Sequence, residues 1–338
     1  MENSIISNYS FHLINENEIP WNDIEQCCDA TIFKSKDWKE FLVTSLPLKS
    51  FIVKILKDGN LYGYFVGFIF SKFGLKIIGS PFEGWNTSYL GISTKENISR
   101  KERVLIYKEL CKFALKHCLF IQFADWNLDF EDLDGNFKNV IANESYYLDL
   151  SPNIESLYRS FKQKSCQYSI KKAQKLGVVI CEPDNIDIFA DEYYNELIDV
   201  FAKQDLKPTY DAERVKLMLH CLSPQHRVLL EARHPDTNSV MATIIFVLHN
   251  DIAFYWGAAC YRTYQKFCPN ELLMFEAIKL LKARGVTLLE MEGIRPYKEK
   301  YNPVRYSKPK VMVAKYPILI EMKKLAKILF YKLKGFKI

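Results

Sequence analysis

IAFYWGAACYRTYQKFCPNELLMFEAIKLLKARGVTLLEMEG, residues 252 to 293, passes from an aromatic strand through a polar corner into a helix and leaves along a second strand. IAFYWGAA is rich in residues that fit a pleated surface. Pro269 suits the first turn of a helix, where its missing N–H costs nothing. Gly285 follows the helical run where a left-handed cap favours glycine. Upstream, HRVLLEAR (226 to 233), the turn PDTNS, VMATIIFVL (240 to 248) and the break HND read as a hairpin feeding this strand. The corner itself, between Gly257 and Pro269, contains no glycine.

The same order occurs once before. KSFIVKIL (49 to 56), KDGN, LYGYFVGFIF (61 to 70), SKFG and LKIIG (75 to 79) read as three strands, followed by a polar loop. RKERVLIYKELCKFALKHC (100 to 118) then places Val104, Tyr107, Leu110, Cys111, Ala114 and Leu115 on one helical face, and LFIQFA is again a strand. Residue identity between the halves is low, so the duplication is argued from element order. NESYYLDLSPNIESL marks the boundary, with Ser151-Pro152 as a helix start. The expected domains are 1–150 and 151–315, followed by 316–338 as a basic amphipathic helix.

The totals narrow the class. Of 338 residues, 49% are hydrophobic and 25% charged, with 23 Phe and 20 Tyr, which is enough for two aromatic cores. Nine scattered cysteines without a C-x-x-C pair signal neither a disulfide framework nor a zinc ribbon. The six histidines have no metal-ligand spacing, so no metal is expected. The first twenty residues lack the pattern of an export signal, and no apolar run reaches membrane-spanning length. A cytoplasmic protein is expected. No G-x-S-x-G, Walker or Rossmann signature occurs.

Hairpin, strand, helix, strand is the order of the GNAT acyltransferase fold, and two such units in tandem resemble the FemAB-like family. FKSKDWKEFL (33 to 42), SPFEGWNTSYLG (80 to 91), CQYSIKKAQKLGV (166 to 178) and YKEKY (297 to 301) each resemble a stretch of that family, over roughly residues 30 to 310. The departures are Gln167 before Tyr168, Ser169 and Ile170 in the basic helix, and Glu292-Gly293 where a Gly-Gly often stands. The resemblance implies an α/β (α+β) fold of two tandem GNAT-like domains, each a mixed, mostly antiparallel sheet flanked by helices. It implies a transferase that moves an acyl or aminoacyl group from acyl-CoA or aminoacyl-tRNA to an amine of a cell-envelope saccharide or peptide precursor. It implies a part in cell envelope biogenesis, through polysaccharide or peptidoglycan biosynthesis. A non-catalytic module binding an anionic saccharide or nucleic acid is the rival reading.

Acyl transfer needs donors for a developing oxyanion and a group to take a proton from the amine. By position the splayed strand is AFYWGAA, with Gly257 admitting a donor close to the backbone and Tyr255 or Trp256 lining an acyl slot, unless both rings are plain core. Arg262, Lys266 and Asn270 are the donor-side candidates at the corner, in place of the glycines that cradle a pyrophosphate in acetyl-CoA enzymes; a solvated loop is the alternative. Glu290 and Glu292, two apart, would share one strand face as base or amine-orienting acids, or form an ordinary solvent edge. Lys298 matches the family motif and would neutralise donor phosphate or developing charge, or belong to the solvated face of a KEK run. On the acceptor side stand Glu83, Trp85 and Asn86, with Trp85 stacking on a sugar or pinning its loop, and Lys171 and Lys172 of the basic helix, for a diphosphate or tRNA backbone. The acceptor is expected between the two domains. In ILIEMKKLAKILFYKLKGFKI, Met322, Leu325, Leu329, Leu333 and Phe336 recur at helical spacing. That tail either touches the inner face of a membrane or docks on its own domain.

Overall fold

The structure is a computed structural model and describes residues 8–333 except 73 and 204; Phe336 lies outside the described residues. The chain divides into two compact units, Met1–Asn143 with Ser307–Ile338, and Glu144–Tyr306. The division falls at 143/144 rather than 150/151. Residues 307–315, expected in the second domain, group with the first unit, as do the described residues of the helix expected after them.

The first unit runs β1 (Tyr9–Leu13), α1 (Trp21–Glu25), α2 (Lys36–Ser45), β2 (Leu48–Lys57), β3 (Asn60–Lys72), β4 (Leu75–Ser80), β5 (Gly91–Thr94), α3 (Arg100–Ala114), β6 (Phe120–Ala124) and α4 (Phe130–Leu133). The β1 to β4 strands pair antiparallel in sequence order, β6 lies parallel to β4, and β5 pairs with one end of β3. The α2 and α3 helices start where serine side chains accept orphan N–H groups, Ser35 from Trp38 at 3.1 Å and Ser99 from Glu102 at 3.2 Å. The expected apolar face of α3 is buried from Val104 to Ala114, with Leu115 half-buried just past its end, and Tyr107 stacks on Phe123 at 4.1 Å between centroids. Beneath it Arg103 joins Asp29 at 2.7 Å to Asp125 at 2.9 Å, and Tyr107 donates to Asp125 at 2.6 Å. Gly91, at φ +88°, is required there: a Cβ would lie 2.2 Å from the Tyr107 hydroxyl.

The second unit repeats the arrangement. After β7 (Val140–Asp149), α5 (Ile154–Ser160) and a π-helical turn at Gln163–Gln167 come α6 (Tyr168–Lys175), β8 (Val179–Cys181), α7 (Ile186–Ala202), α8 (Ala212–Cys221), β9 (Arg227–Arg233), β10 (Val240–His249), β11 (Ile252–Cys260), α9 (Pro269–Ala283) and β12 (Leu288–Glu290). The β8 to β11 strands pair antiparallel, β12 lies parallel to β11, and β7 closes the far edge of β12 antiparallel. Gly177 and Gly285 take the left-handed conformations just past α6 and α9, at φ +73° and +84°. One long core, from Leu148 through Phe246 to Leu281, fills the sheet-helix interface.

The chain then returns through β13 (Val304–Ala314), whose Lys310–Ala314 pair antiparallel with β6, and ends in α10 (Ile318–Leu333). Each unit's parallel strand would otherwise expose an unpaired edge. The closing partner of β6 comes from after the second unit, and that of β12 from before it. Each unit, taken by itself, is therefore a mixed, mostly antiparallel arrangement of strands flanked by helices, built to one plan.

Candidate active site

The two units differ at their parallel strand pairs. In the first, β4 and β6 stay paired to Ser80/Phe123, the last residue of β4, and a Cβ on Gly79 would meet Phe82 at 2.4 Å and Trp85 at 2.7 Å. The slot is filled by rings. In the second, β11 and β12 pair only over Ile252–Phe254, yet β11 continues to Cys260. Beyond Phe254 that edge of β11 has no strand partner among the described residues. A bulge accompanies the divergence: Ile245 faces Gly257 and Phe246 faces Tyr255, so Trp256 is the extra residue and turns out of the ladder.

A cavity of about 290 Å³ opens at this edge, with Tyr255, Trp256 and Gly257 on one wall and Glu292, Arg295, Tyr297 and Lys298 on another. The volume lies at the small end for ligand pockets and suits a short acyl group with its nucleophile. Sequence reasoning placed Tyr255, Trp256, Gly257, Glu292 and Lys298 near one another, and all five line this cavity.

Lys298 is only 2% exposed, and its ammonium donates to the carbonyl oxygens of Met291, Glu292 (2.7 Å) and Gly293 (3.3 Å). Its charge also lies over the rings of Tyr255, at 5.0 Å, and Tyr297, at 5.7 Å. Burial pulls its pKa down to about 8, against the raising fields of Glu290 and Glu292. All three ammonium hydrogens are used in the turn, so Lys298 acts as a fixed positive charge beside the cavity.

The two acids part company, which corrects the expectation of a shared strand face. β12 ends at Glu290, and Glu292 takes a left-handed conformation, φ +57°, as the first half of a turn completed by Gly293. Glu290 points into the protein at 1% exposure, accepting from the Tyr306 hydroxyl at 2.5 Å and the Glu292 N–H at 2.7 Å. Burial raises its pKa. It braces the turn and does not line the cavity, whereas Glu292 does.

Gly257 also has a different use from the one expected. The space a Cβ would take is held by the Tyr193 hydroxyl, 2.3 Å from the ideal position. That hydroxyl lies 2.9 Å from the Tyr210 hydroxyl, and the Trp256 ring packs on both at 6.0 and 5.5 Å. Glycine here admits a tyrosine. Tyr193, Tyr210, Tyr297 and Arg295 also line the cavity and were missed; among these four only Tyr297 carried a signal, as the neighbour of Lys298 in YKEKY.

The corner after β11 commits its arginine within the protein. Arg262 is tied to Asp199 three times, through its backbone N–H at 2.8 Å, Nε at 3.0 Å and Nη2 at 2.8 Å. Lys266 is exposed and lies over the Phe267 ring at 5.4 Å. Cys268 supplies the left-handed residue before α9, φ 55°, where glycine would be usual. The Asn270 Oδ1 is buried in the first turn without a hydrogen-bond partner. None of Arg262, Lys266 and Asn270 lines the cavity.

The acceptor-side candidates of the first unit are also redistributed. Trp85 is not an exposed stacking surface: it is 7% exposed, with Phe68 and Phe82 edge-on at 5.8 and 5.5 Å. Glu83 pairs with Lys323 of α10 at 3.4 Å and Lys310 at 3.8 Å. Asn86 is exposed in a left-handed turn, φ 55°. In the second unit Lys171 is exposed and Lys172 half-buried on α6, sharing a helical face with Tyr168 and Lys175 opposite buried Ile170 and Ala173. Among the described residues no cluster of three or more metal-ligating side chains occurs, and no helix is long and apolar enough to cross a membrane.

Residues 160–300 match the family model described as an acetyltransferase (GNAT) domain. No curated protein matches the chain. Among solved structures, FemX is similar at a TM-score of 0.71 and 12% identity, over 93% of this chain and 99% of its own. A conserved protein of unknown function from Bacteroides thetaiotaomicron VPI-5482 has a TM-score of 0.50 at 13% identity, over 74% and 82%. A tandem GNAT protein from the clavulanic acid biosynthesis pathway has 0.49 at 10%, over 92% and 99%. At such identities the likeness is one of fold, and the FemX match extends it to nearly the whole chain.

Proposed function

We propose that this chain, whose residues 160–300 match an acetyltransferase (GNAT) domain model and whose fold is similar to that of FemX, is a FemAB-like member of the GNAT acyltransferase superfamily and transfers an acyl or aminoacyl group from an activated carrier to an amine of a cell-envelope saccharide or peptide precursor. The observation that carries this reading is the open edge of β11 beside a cavity lined by Glu292 and Lys298.

The reaction uses that geometry directly. The carrier's carbonyl lies along the unpaired edge of β11, whose free N–H groups stabilise the oxyanion as it forms. The amine nitrogen attacks the carbonyl carbon, an N–C bond forms, and the C–O or C–S bond to the carrier breaks. Glu292 takes the amine's proton, which returns to the departing oxygen or sulfur. Lys298 holds the turn that carries Glu292 and adds a fixed positive charge as negative charge develops.

The donor is acyl-CoA or aminoacyl-tRNA. The glycine-free corner, with Arg262 committed to Asp199, favours a carrier held elsewhere than by a pyrophosphate cradle, hence the tRNA. The lysine stripe of α6, with Lys171 and Lys172, receives phosphates of the carrier or of the precursor.

The test is incubation of the protein with labelled acetyl-CoA, and separately with charged tRNA, in the presence of amino sugars and envelope peptides, read by mass spectrometry. A mass shift on an acceptor with either donor supports transfer and identifies the carrier. No shift with any donor, together with retained binding of an acceptor, establishes the non-catalytic module instead.

A further inference from the structure

Among its described residues, the last helix of the first unit is anchored through Ile320 and Lys323. Ile320 is 4% exposed in a cluster with Phe120 and Met312. One turn further, Lys323 donates to the Gln122 side chain, pairs with Glu83 at 3.4 Å, and lies over the rings of Phe82 and Phe120 at 5.3 and 5.4 Å. These contacts orient α10 and thereby fix what its opposite side presents. Ile318, Met322 and Leu325, spaced i, i+4 and i+7, are 63%, 54% and 61% exposed, with Ile328 beside them at 40%. With Tyr316, five of the eighteen large hydrophobic residues exposed among the described residues fall within this short stretch. Single exposed apolar residues are ordinary; a contiguous stripe on an anchored helix requires a partner.

Charge identifies the partner. Residues 315–333 contain five lysines and one acid, Glu321, which is paired with Lys324 at 2.8 Å. A second copy of this chain meeting the stripe across a two-fold axis would set lysines against lysines. An anionic surface that is apolar just beneath satisfies both features at once. We propose that α10 lies flat on an anionic lipid bilayer, with Ile318, Met322 and Leu325 in the acyl boundary and the exposed Lys315 and Lys324 among the headgroups. The helix lies on the membrane and does not span it, and the inference stands independently of the transfer reaction.

Flotation of the full chain with phosphatidylcholine vesicles containing about one-third phosphatidylglycerol tests this. The expected result is binding that weakens as salt is raised, is absent on pure phosphatidylcholine, and falls at least about tenfold in the Met322→Glu/Leu325→Glu variant. Both positions are exposed, so the variant keeps the wild-type circular dichroism and melting temperature. No flotation with anionic vesicles overturns the proposal, as does binding undiminished in the variant. A concentration-dependent dimer in light scattering that this variant abolishes, with no vesicle binding, assigns the stripe to a second copy instead.

Discussion

Replacing Gly257 with alanine tests whether the central strand of the second unit is shaped around a tyrosine or around a ligand. The new Cβ would sit 2.3 Å from the Tyr193 hydroxyl and 3.1 Å from Cζ. Real Cβ contacts are not that short, so Tyr193 must move. Tyr193 is 2% exposed, and its hydroxyl is held 2.9 Å from that of Tyr210, so movement costs packing and a hydrogen bond. Overpacking of this kind costs about 2 kcal/mol. Tyr193→Phe alone costs about 1 kcal/mol for the lost hydroxyl contact. In the Tyr193→Phe background the first clash is gone and the 3.1 Å contact needs only a few tenths of an ångström, so Gly257→Ala then costs under about 1 kcal/mol. Urea unfolding of the four proteins, followed by tryptophan fluorescence, should give a favourable coupling of about 1–2 kcal/mol. Costs that add within about 0.5 kcal/mol refute the reasoning. A Gly257→Ala protein of wild-type stability whose KM for donor rises would instead restore the view that a donor lies against this glycine.

Three further outcomes follow from particular contacts. Trp85→Ala, at a buried ring between Phe68 and Phe82, should cost about 3–5 kcal/mol in urea unfolding; a cost below about 1 kcal/mol would return Trp85 to the surface. Arg103→Leu leaves Asp125, fully buried, without its guanidinium, and should cost about 3–5 kcal/mol near neutral pH. In the wild type Asp125 is held below the usual carboxylate range, chiefly by Arg103 against the cost of burial, so its stabilisation is lost as pH falls through that depressed value. The gap between wild type and variant should therefore narrow in acid; a constant gap from pH 7 to 3 counts against the buried pair. Lys298 gives a slope of the same sign in a higher window, although there burial disfavours the charged form rather than a partner favouring it. Its folded pKa is about 8 against an ordinary 10.5, so between those values the unfolded chain holds more protons. This group alone makes stability rise with pH across that window, by up to about 3 kcal/mol. Wild type minus Lys298→Met should show the rise, and a flat difference from pH 7 to 10.5 would show that Lys298 is not buried as described.

The duplicated plan was legible because it is written in periodicity. Alternating or continuous apolar runs of strand length, a 3.6-residue face at Val104, Tyr107 and Leu110, and glycines 177 and 285 at helix ends are local signals, and local backbone sterics enforce them. The strand TLLEMEG was read too long for a related reason. Glu292 has no feature that announces a left-handed residue, and only the Lys298 ammonium, arriving from the next turn, gathers the three carbonyls that hold it there.

What the sequence by itself determined is the order of elements, the two cores, and the neighbourhood of Tyr255, Trp256, Gly257, Glu292 and Lys298. Only the tertiary structure decided which residues face the cavity and which are spent on holding it. Glu290 and Arg262 look available in sequence, yet a buried carboxylate must find donors and an arginine finds a carboxylate within reach, so Tyr306 and Asp199 claim them. Tyr193 and Tyr210, distant in sequence from β11, enter the site from α7 and from the loop before α8, a placement no local pattern encodes. The closing strands of the two units were likewise invisible, because an edge is satisfied by whichever segment reaches it. The apolar and basic character of α10 was plain in its spacing, but which side faces outward depended on where Ile320 and Lys323 find Phe120 and Glu83.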